Sequence, residues 1–381
     1  MLEVDVKRRL GDFGLEARFS SDQGVTALFG RSGAGKTSIV NMVSGLLTPD
    51  EGRIEVGGHV LFDSAAGIDL PPWKRRVGYV FQEGRLFPHL TVRSNLLYGW
   101  RFAPAAERRL TLEQVVALLD LGALLQRRPR SLSGGEKQRV AVGRALLSNP
   151  RALLMDEPLA SLDVLMKREI LPYIERLDEM GLPILYVSHS LDEVSRLARN
   201  LVLVSGGRVV RSGGVDEILS DLELWSPEDE AETGAMVAAR VFRHDAEAGL
   251  THLDFRGGVL RVPLVDIPAG VAVRVWIRAR DVSVATEAPR GLSLRNVLKA
   301  TLVEIRPGDG DPRRLAELRL RVGDASLTAL VTRQAARELG LAPGQEIYAL
   351  IKSANLDRRQ LSLVAAMAGP GGQPPATDPS S

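Results

Sequence analysis

The stretch Gly30, Arg31, Ser32, Gly33, Ala34, Gly35, Lys36, Thr37 constrains this chain more than any other. It completes a GxxxxGK[ST] pattern between an apolar run at 25–29 and a segment that sets Ile39, Val40, Val43 and Leu46 on one face and ends near Gly45. A buried strand, a glycine-rich turn and a helix in that order put backbone N–H groups at a helix N-terminus, where the peptide dipoles favour an anion. The glycines let those groups approach a phosphate, Lys36 reaches its β and γ oxygens, and Thr37, followed by Ser38, offers a hydroxyl to Mg²⁺. A strand that feeds a helix in this way belongs to an α/β sheet. A bare glycine turn would lack the lysine, the threonine and both flanking elements.

A second stretch, LSGGEKQRVAVGRALLSNPRALLMDEPLASLD at 132–163, adds carboxylates. Its apolar run 152–155 suits a strand buried on both faces of a parallel sheet, and it delivers Asp156 and Glu157 at the carboxyl end, where such sheets bind ligands. Asp156 suits Mg²⁺, directly or through a ligand, and Glu157 can hold and polarise a water for attack on phosphorus. Just upstream, Leu132, Ser133, Gly134, Gly135 and Glu136 form a small-residue turn opening a helix, with bare N–H groups and a hydroxyl for a phosphate. This pairing resembles the signature motif and Walker B of the ABC ATPases, and the run 159–163, ending in Asp163, resembles their D-loop at the dimer interface.

Further pieces fit the same resemblance. The run 77–81 reads as a buried strand ending in Gln82, and FQEGRLFPHLTV resembles the Q-loop of ABC importers, in which the amide touches Mg²⁺ or the attacking water. The run 184–187 presents Ser188 and His189, and YVSHSLDEV resembles the H-loop, whose histidine donates to the γ-phosphate and orients the water. An aromatic near the start usually stacks on adenine in this family. Phe13 is the candidate by position, with Phe13 or Phe19 as plain core residues the alternative. From about 85 to 145 the apolar spacing turns helical, as in the family's inserted subdomain, and the surface at 85–98 is where a membrane subunit would dock, a solvated face being the other reading. The resemblance also implies two copies paired head to tail, so that Ser133, Gly134 and Gly135 of one cover the ATP held by Lys36 of the other. The expected fold is thus a RecA-like α/β core with an N-terminal antiparallel part and an inserted helical subdomain, spanning 1–228.

Composition limits the partners. With 49 Lys and Arg against 47 Asp and Glu, the net charge of +2 gives no global basic excess that would argue for nucleic acid. There is no cysteine, hence no disulfide and no thiolate metal site. No apolar run approaches the ~20 residues that span a bilayer. Membrane association, at the cytoplasmic face, is therefore expected through a permease. His59 and His89 stand alone, and a surface or packing role is expected for both.

Beyond an acidic, loop-like stretch at 221–235 the character turns to β, with a linker and first β segment expected over 229–288 and a small barrel closed by the runs 258–262, 271–277, 300–305, 318–322 and 345–351. The end, GPGGQPPATDPSS, reads as disordered, within a tail at 358–381. SLRNVLKA at 293–300 and IKSA at 351–354 resemble the start and end of the OB-like TOBE/Mop domain, placed at 289–357. Hydroxyls at Ser293 and Ser353 with cations at Arg295 and Lys352 are what a dianionic oxyanion requires, since charge-assisted donors must replace its hydration shell. The same residues could serve a purely regulatory or dimer contact. Along nearly its whole length the chain resembles the ATPase subunits of molybdate importers. That resemblance implies ATP and Mg²⁺ as ligands, hydrolysis to ADP and phosphate, a homodimer, permease subunits and a periplasmic or surface binding protein. Cargo could instead be tungstate, sulfate or another small solute. A soluble ABC protein would normally carry two cassettes or a long coiled coil, and an oxyanion sensor would need no intact Glu157 and His189.

Overall fold

The computed structural model describes residues 1–22, 24–102, 108–178, 180–220, 234–306, 315–353, 356 and 361–363. Two long strands open the chain, β1 (Leu2–Leu10) and β2 (Phe13–Ser21), antiparallel about a turn at Gly11 and Asp12; Gly14 lies within β2. β3 (Gly24–Phe29) is buried at all six positions and runs into the glycine loop, and α1 (Lys36–Ser44) follows. Next come β4 (Glu51–Val56), β5 (His59–Asp63), β6 (Ile68–Asp69), α2 (Pro72–Arg75) and β7 (Val77–Val80). The helical insertion holds α3 (Val92–Trp100), α4 (Leu112–Leu118) and α5 (Gly134–Leu147). The chain returns through β8 (Ala152–Asp156), α6 (Val164–Asp178), β9 (Pro183–Ser188), α7 (Leu191–Leu197), β10 (Asn200–Ser205), β11 (Arg208–Gly214) and α8 (Val215–Ser220).

These strands form one sheet in the order β6-β5-β4-β1-β2-β11-β10-β3-β9-β8-β7. Its β10-β3-β9-β8-β7 half is parallel, and β4, β5 and β6 extend β1 in antiparallel fashion. The parallel strands are mostly apolar because helices cover both faces: α5, α6 and α7 pack one core and α1 another. β3, β8 and β9 lie side by side, so the loops after their carboxyl ends meet.

The last third contains β12 (Gly234–Asp245), β13 (Leu250–Phe255), β14 (Gly258–Pro263), β15 (Ala272–Arg278), β16 (Val282–Ala285), β17 (Asn296–Arg306), β18 (Ala316–Val322), β19 (Ala325–Val331), α9 (Arg333–Glu338), β20 (Glu346–Ile351) and β21 (Leu361–Leu363). They make two five-stranded antiparallel sheets, β14-β13-β12-β15-β21 and β16-β20-β17-β18-β19, over one shared apolar core. The span expected as a linker with a first β segment thus carries five strands, β12 to β16. β17 starts at Asn296, four residues before the expected run, which places that amide inside the domain. The acidic stretch lies mostly, and the C-terminal tail almost wholly, outside the described residues. Among the described residues no helix is long and apolar enough to cross a membrane.

Candidate active site

The glycine loop is shaped before any ligand arrives. At Gly30 a Cβ would lie 2.1 Å from the Val204 carbonyl oxygen, and at Gly35, with φ of 102°, it would lie 2.9 Å from Leu15 Cδ1. Only glycine suits both positions. Inside the loop the buried Lys36 ammonium donates to the carbonyls of Gly30 (2.6 Å) and Arg31 (3.0 Å). Burial lowers its pKa, opposed by the charges of Glu157 and Asp156. Phe13, Ser32, Gly33, Gly35, Lys36, Thr37, Ser38 and Glu157 line one cleft of about 360 Å³ beside this loop. Ala34 is buried against the sheet and Arg31 is exposed. Phe13 therefore faces the cleft, whereas Phe19 is part of the core.

Across the loop stand the carboxylates. Thr37 Oγ1 donates to Asp156 Oδ1 at 3.1 Å, and Tyr79 Oη lies 3.3 Å from Asp156 Oδ2 and 3.0 Å from Asn41 Oδ1. Burial raises the Asp156 pKa, while the bonds from Thr37 and Tyr79 oppose it. A threonine hydroxyl beside a carboxylate is the hard-oxygen donor set that Mg²⁺ prefers, so these residues fit that ion. Glu157 takes a left-handed backbone (φ 45°), rare for a residue with a side chain, and is held there by its N–H on the Val187 carbonyl at 3.0 Å. That turn sets its carboxylate 3.3 Å from His189 Nδ1. Gln82 is exposed in the bend after β7, and its side chain bonds to no other described residue. Thr37, Asp156, Glu157 and His189 are thus brought together, and Gln82 is not joined to them.

Ser133 caps α5. Its hydroxyl accepts from the Glu136 N–H (3.1 Å) and the Glu136 carboxylate accepts from the Ser133 N–H (2.7 Å). Leu132 and Gly135 are buried, while Gly134 is exposed, and a Cβ there would lie 2.9 Å from Leu162 Cδ2. Asp163 caps α6 through the Met166 N–H at 2.8 Å. The backbone on either side of Gln82 is held by residues to which the sequence alone assigns no role. Buried Gln138 donates to the Phe81 carbonyl, Arg144 to those of Gly84 and Arg85, and buried Asn95 brackets Phe87 through its N–H and its carbonyl. Sequence signals for Gln138 and Arg144 exist only in their position on the helix that follows the signature turn. Asn41 and Tyr79 had none.

In the last third, Ser293, Arg295 and Lys352 are exposed and Ser353 is buried. Ser353 Oγ accepts from Asn296 Nδ2 at 3.3 Å, and Asn296 also exchanges bonds with the Arg261 backbone, at 2.6 Å and 3.0 Å. The Arg261 guanidinium donates to the Arg295 carbonyl. Asn296, fully buried, is the centre of this cluster.

A parallel-sheet core carrying a phosphate loop, a paired Glu157 and His189 and a capped signature turn defines an ABC-type ATPase. The ABC transporter family profile matches residues 17–160, and that of the TOBE domain matches 292–357. A solved ATP-binding subunit of an ABC transporter superposes with a TM-score of 0.50 at 28% identity, over 58% of this chain and 93% of that one. A molybdenum import ATP-binding protein of Paramagnetospirillum magneticum is 51% identical over 96% of this chain and 100% of its own. Another, from Rhodospirillum rubrum, is 53% identical over 95% and 98%. The chain belongs to the family of molybdenum import ATP-binding proteins.

Proposed function

We propose that this chain is the ATP-hydrolysing subunit of a molybdate importer, acting as a homodimer at the cytoplasmic face of the membrane, through separate permease subunits fed by a binding protein. The contact between Glu157 and His189 at the ends of β8 and β9, beside the cleft of Lys36 and Thr37, carries the ATPase reading. The relatives named for molybdenum import support the cargo.

In this reading Phe13 stacks on adenine, and the loop 30–38 cradles the phosphates. Lys36 leaves the carbonyls of Gly30 and Arg31 for the β and γ oxygens. Thr37 and Asp156 would hold Mg²⁺, with Gln82 approaching on closure; when bound, the ion neutralises charge on those oxygens. Glu157 takes the proton of the attacking water, while His189 orients that water and donates to the γ-phosphate. The Ser133, Gly134, Gly135 turn of the second copy covers the γ-phosphate, and Asp163 lies at that interface. Closure on ATP and opening after hydrolysis drive the permease.

Replacing Glu157 by Gln removes the base and keeps the shape. ATP affinity by equilibrium titration should stay within a few-fold, and turnover should fall by roughly 10²-fold or more. Full turnover in Glu157→Gln would sink the assignment. The proposal extends to molybdate at Ser293, Arg295, Lys352 and Ser353. Calorimetric titration of the intact chain should give heat with molybdate and tungstate but not sulfate, lost in Arg295→Ala; silence with all three removes this part of the proposal.

A further inference from the structure

The turn that presents the histidine is tied to one buried carboxylate. Glu193, in the first turn of α7, accepts at one oxygen from the Tyr186 hydroxyl (2.9 Å) and the Ser188 hydroxyl (2.8 Å), and at the other from the Lys167 ammonium (2.9 Å). Ser188 Oγ in turn accepts from the Ser190 N–H at 3.0 Å, and Ser190 Oγ accepts from the Glu193 N–H at 3.4 Å. His189 therefore sits between two serines that both refer back to Glu193. Burial, together with Glu193, raises the Tyr186 pKa well above its ordinary value, so its hydroxyl remains a donor.

An apolar side chain would fill this position among the surrounding core residues at lower cost, because a buried charge is costly unless fully paired and hydrogen-bonded. What an apolar residue could not do is fix the direction of the turn. Lys167 belongs to α6, whose first turn is capped by Asp163, so Glu193 joins the histidine turn to the helix that starts at the proposed dimer contact.

We infer that Glu193 is a positioning residue for His189, holding the imidazole at the Glu157 carboxylate by gripping Ser188, Tyr186 and Lys167. The inference rests on the ATPase reading, since His189 is the group positioned. It is tested on the intact chain by steady-state ATP hydrolysis and by NMR of the histidine rings, with His189 assigned from its loss in His189→Ala. Glu193→Ala should lower kcat by about tenfold or more, with KM for ATP within about twofold, and should broaden or split the His189 signal. Glu193→Gln keeps an acceptor for Ser188 and Tyr186 and should recover much of that loss. Ser188→Ala deletes a single hydroxyl and covers the case in which Glu193→Ala does not fold; it should lower kcat by roughly threefold at unchanged KM and perturb the same signal. Wild-type kcat in Glu193→Ala and Ser188→Ala, or kcat lost together with a raised KM and an unchanged His189 signal, overturns the inference. The ring signal needs no turnover. An unsubstituted protein unable to hydrolyse ATP would therefore sink the ATPase reading, while the resonances still decide whether Glu193 holds His189.

Discussion

Arg75 shows what one side chain can hold together. Fully buried, its guanidinium donates to the carbonyls of Leu70 (2.6 Å), Met42 (2.6 Å) and Val43 (3.1 Å) and pairs with Asp69 at 2.7 Å. Met42 and Val43 lie in the last turn of α1, so this cation caps the carboxyl end of the helix whose other end opens at the phosphate loop. Truncation would remove the donor from the Leu70 and Val43 carbonyls and the cation from the Asp69 carboxylate. Arg75→Ala should therefore cost about 3 kcal/mol, measured as a lower denaturation midpoint. Arg75→Lys should rescue little, because a single ammonium cannot reach four acceptors spread around a planar fork. Nothing in KRRV distinguishes Arg75 from Arg76, so this residue was illegible in the sequence. Lys36 and Thr37 open a helix beside glycines of set spacing, and Asp156, Glu157 and His189 stand at the ends of apolar runs, which is why the sequence singles them out. Asn296 lay within a quoted run and was passed over, since an amide reveals its partners only when Arg261 and Ser353 are brought to it by folding.

At the scale of elements, α5 opens on Ser133 and Glu136, three residues apart, which is the spacing of the reciprocal cap they form. Ser133→Ala should cost about 1 kcal/mol in chemical denaturation. Ser133→Asp keeps a capping oxygen and should leave the midpoint near its original value while abolishing ATP turnover through its charge. If both variants lose stability alike, the cap is not what Ser133 contributes. β13 carries a second element-scale prediction. Burial first, and then the charges of Arg243 and Arg261, depress the pKa of His252 below its ordinary value. The folded chain then binds fewer protons than the unfolded one, so stability is held above about pH 6.5 and declines as pH falls through that value. The denaturation midpoint should be lower at pH 5 than at pH 7.5, and His252→Gln should reduce the difference. β12 and β13 escaped the sequence reading because β12 has a register shift near Phe242 and a charged end, which breaks the alternation that marks a strand.

Across the whole molecule, a run of acidic residues marks the expected boundary after α8, but no local pattern marks the seam between the two halves. Arg278 at the end of β15 pairs with Asp192 of α7, and Trp276, Ala279 and Leu330 are buried in the core that α5, α6 and α7 share with the sheet. Those contacts join residues some eighty positions apart, and no local pattern announces them. Calorimetry should show one transition for the intact chain and two for Arg278→Ala; a single unshifted transition would show that the seam does not depend on this pair. The grip of α5 on the loop after Gln82 has a different bearing. α5 begins at the turn that would serve the other copy's nucleotide, and its Gln138 and Arg144 hold the carbonyls of Phe81, Gly84 and Arg85, on either side of the Gln82 that would approach this copy's own on closure. One rigid rod would thus link the two nucleotide sites of the proposed pair. In the proposed pair each site would sense whether its neighbour is filled, so ATP consumption should rise more steeply than in proportion to ATP, with a Hill coefficient above one. A pair made of one intact and one Glu157→Gln copy should then run well below half speed.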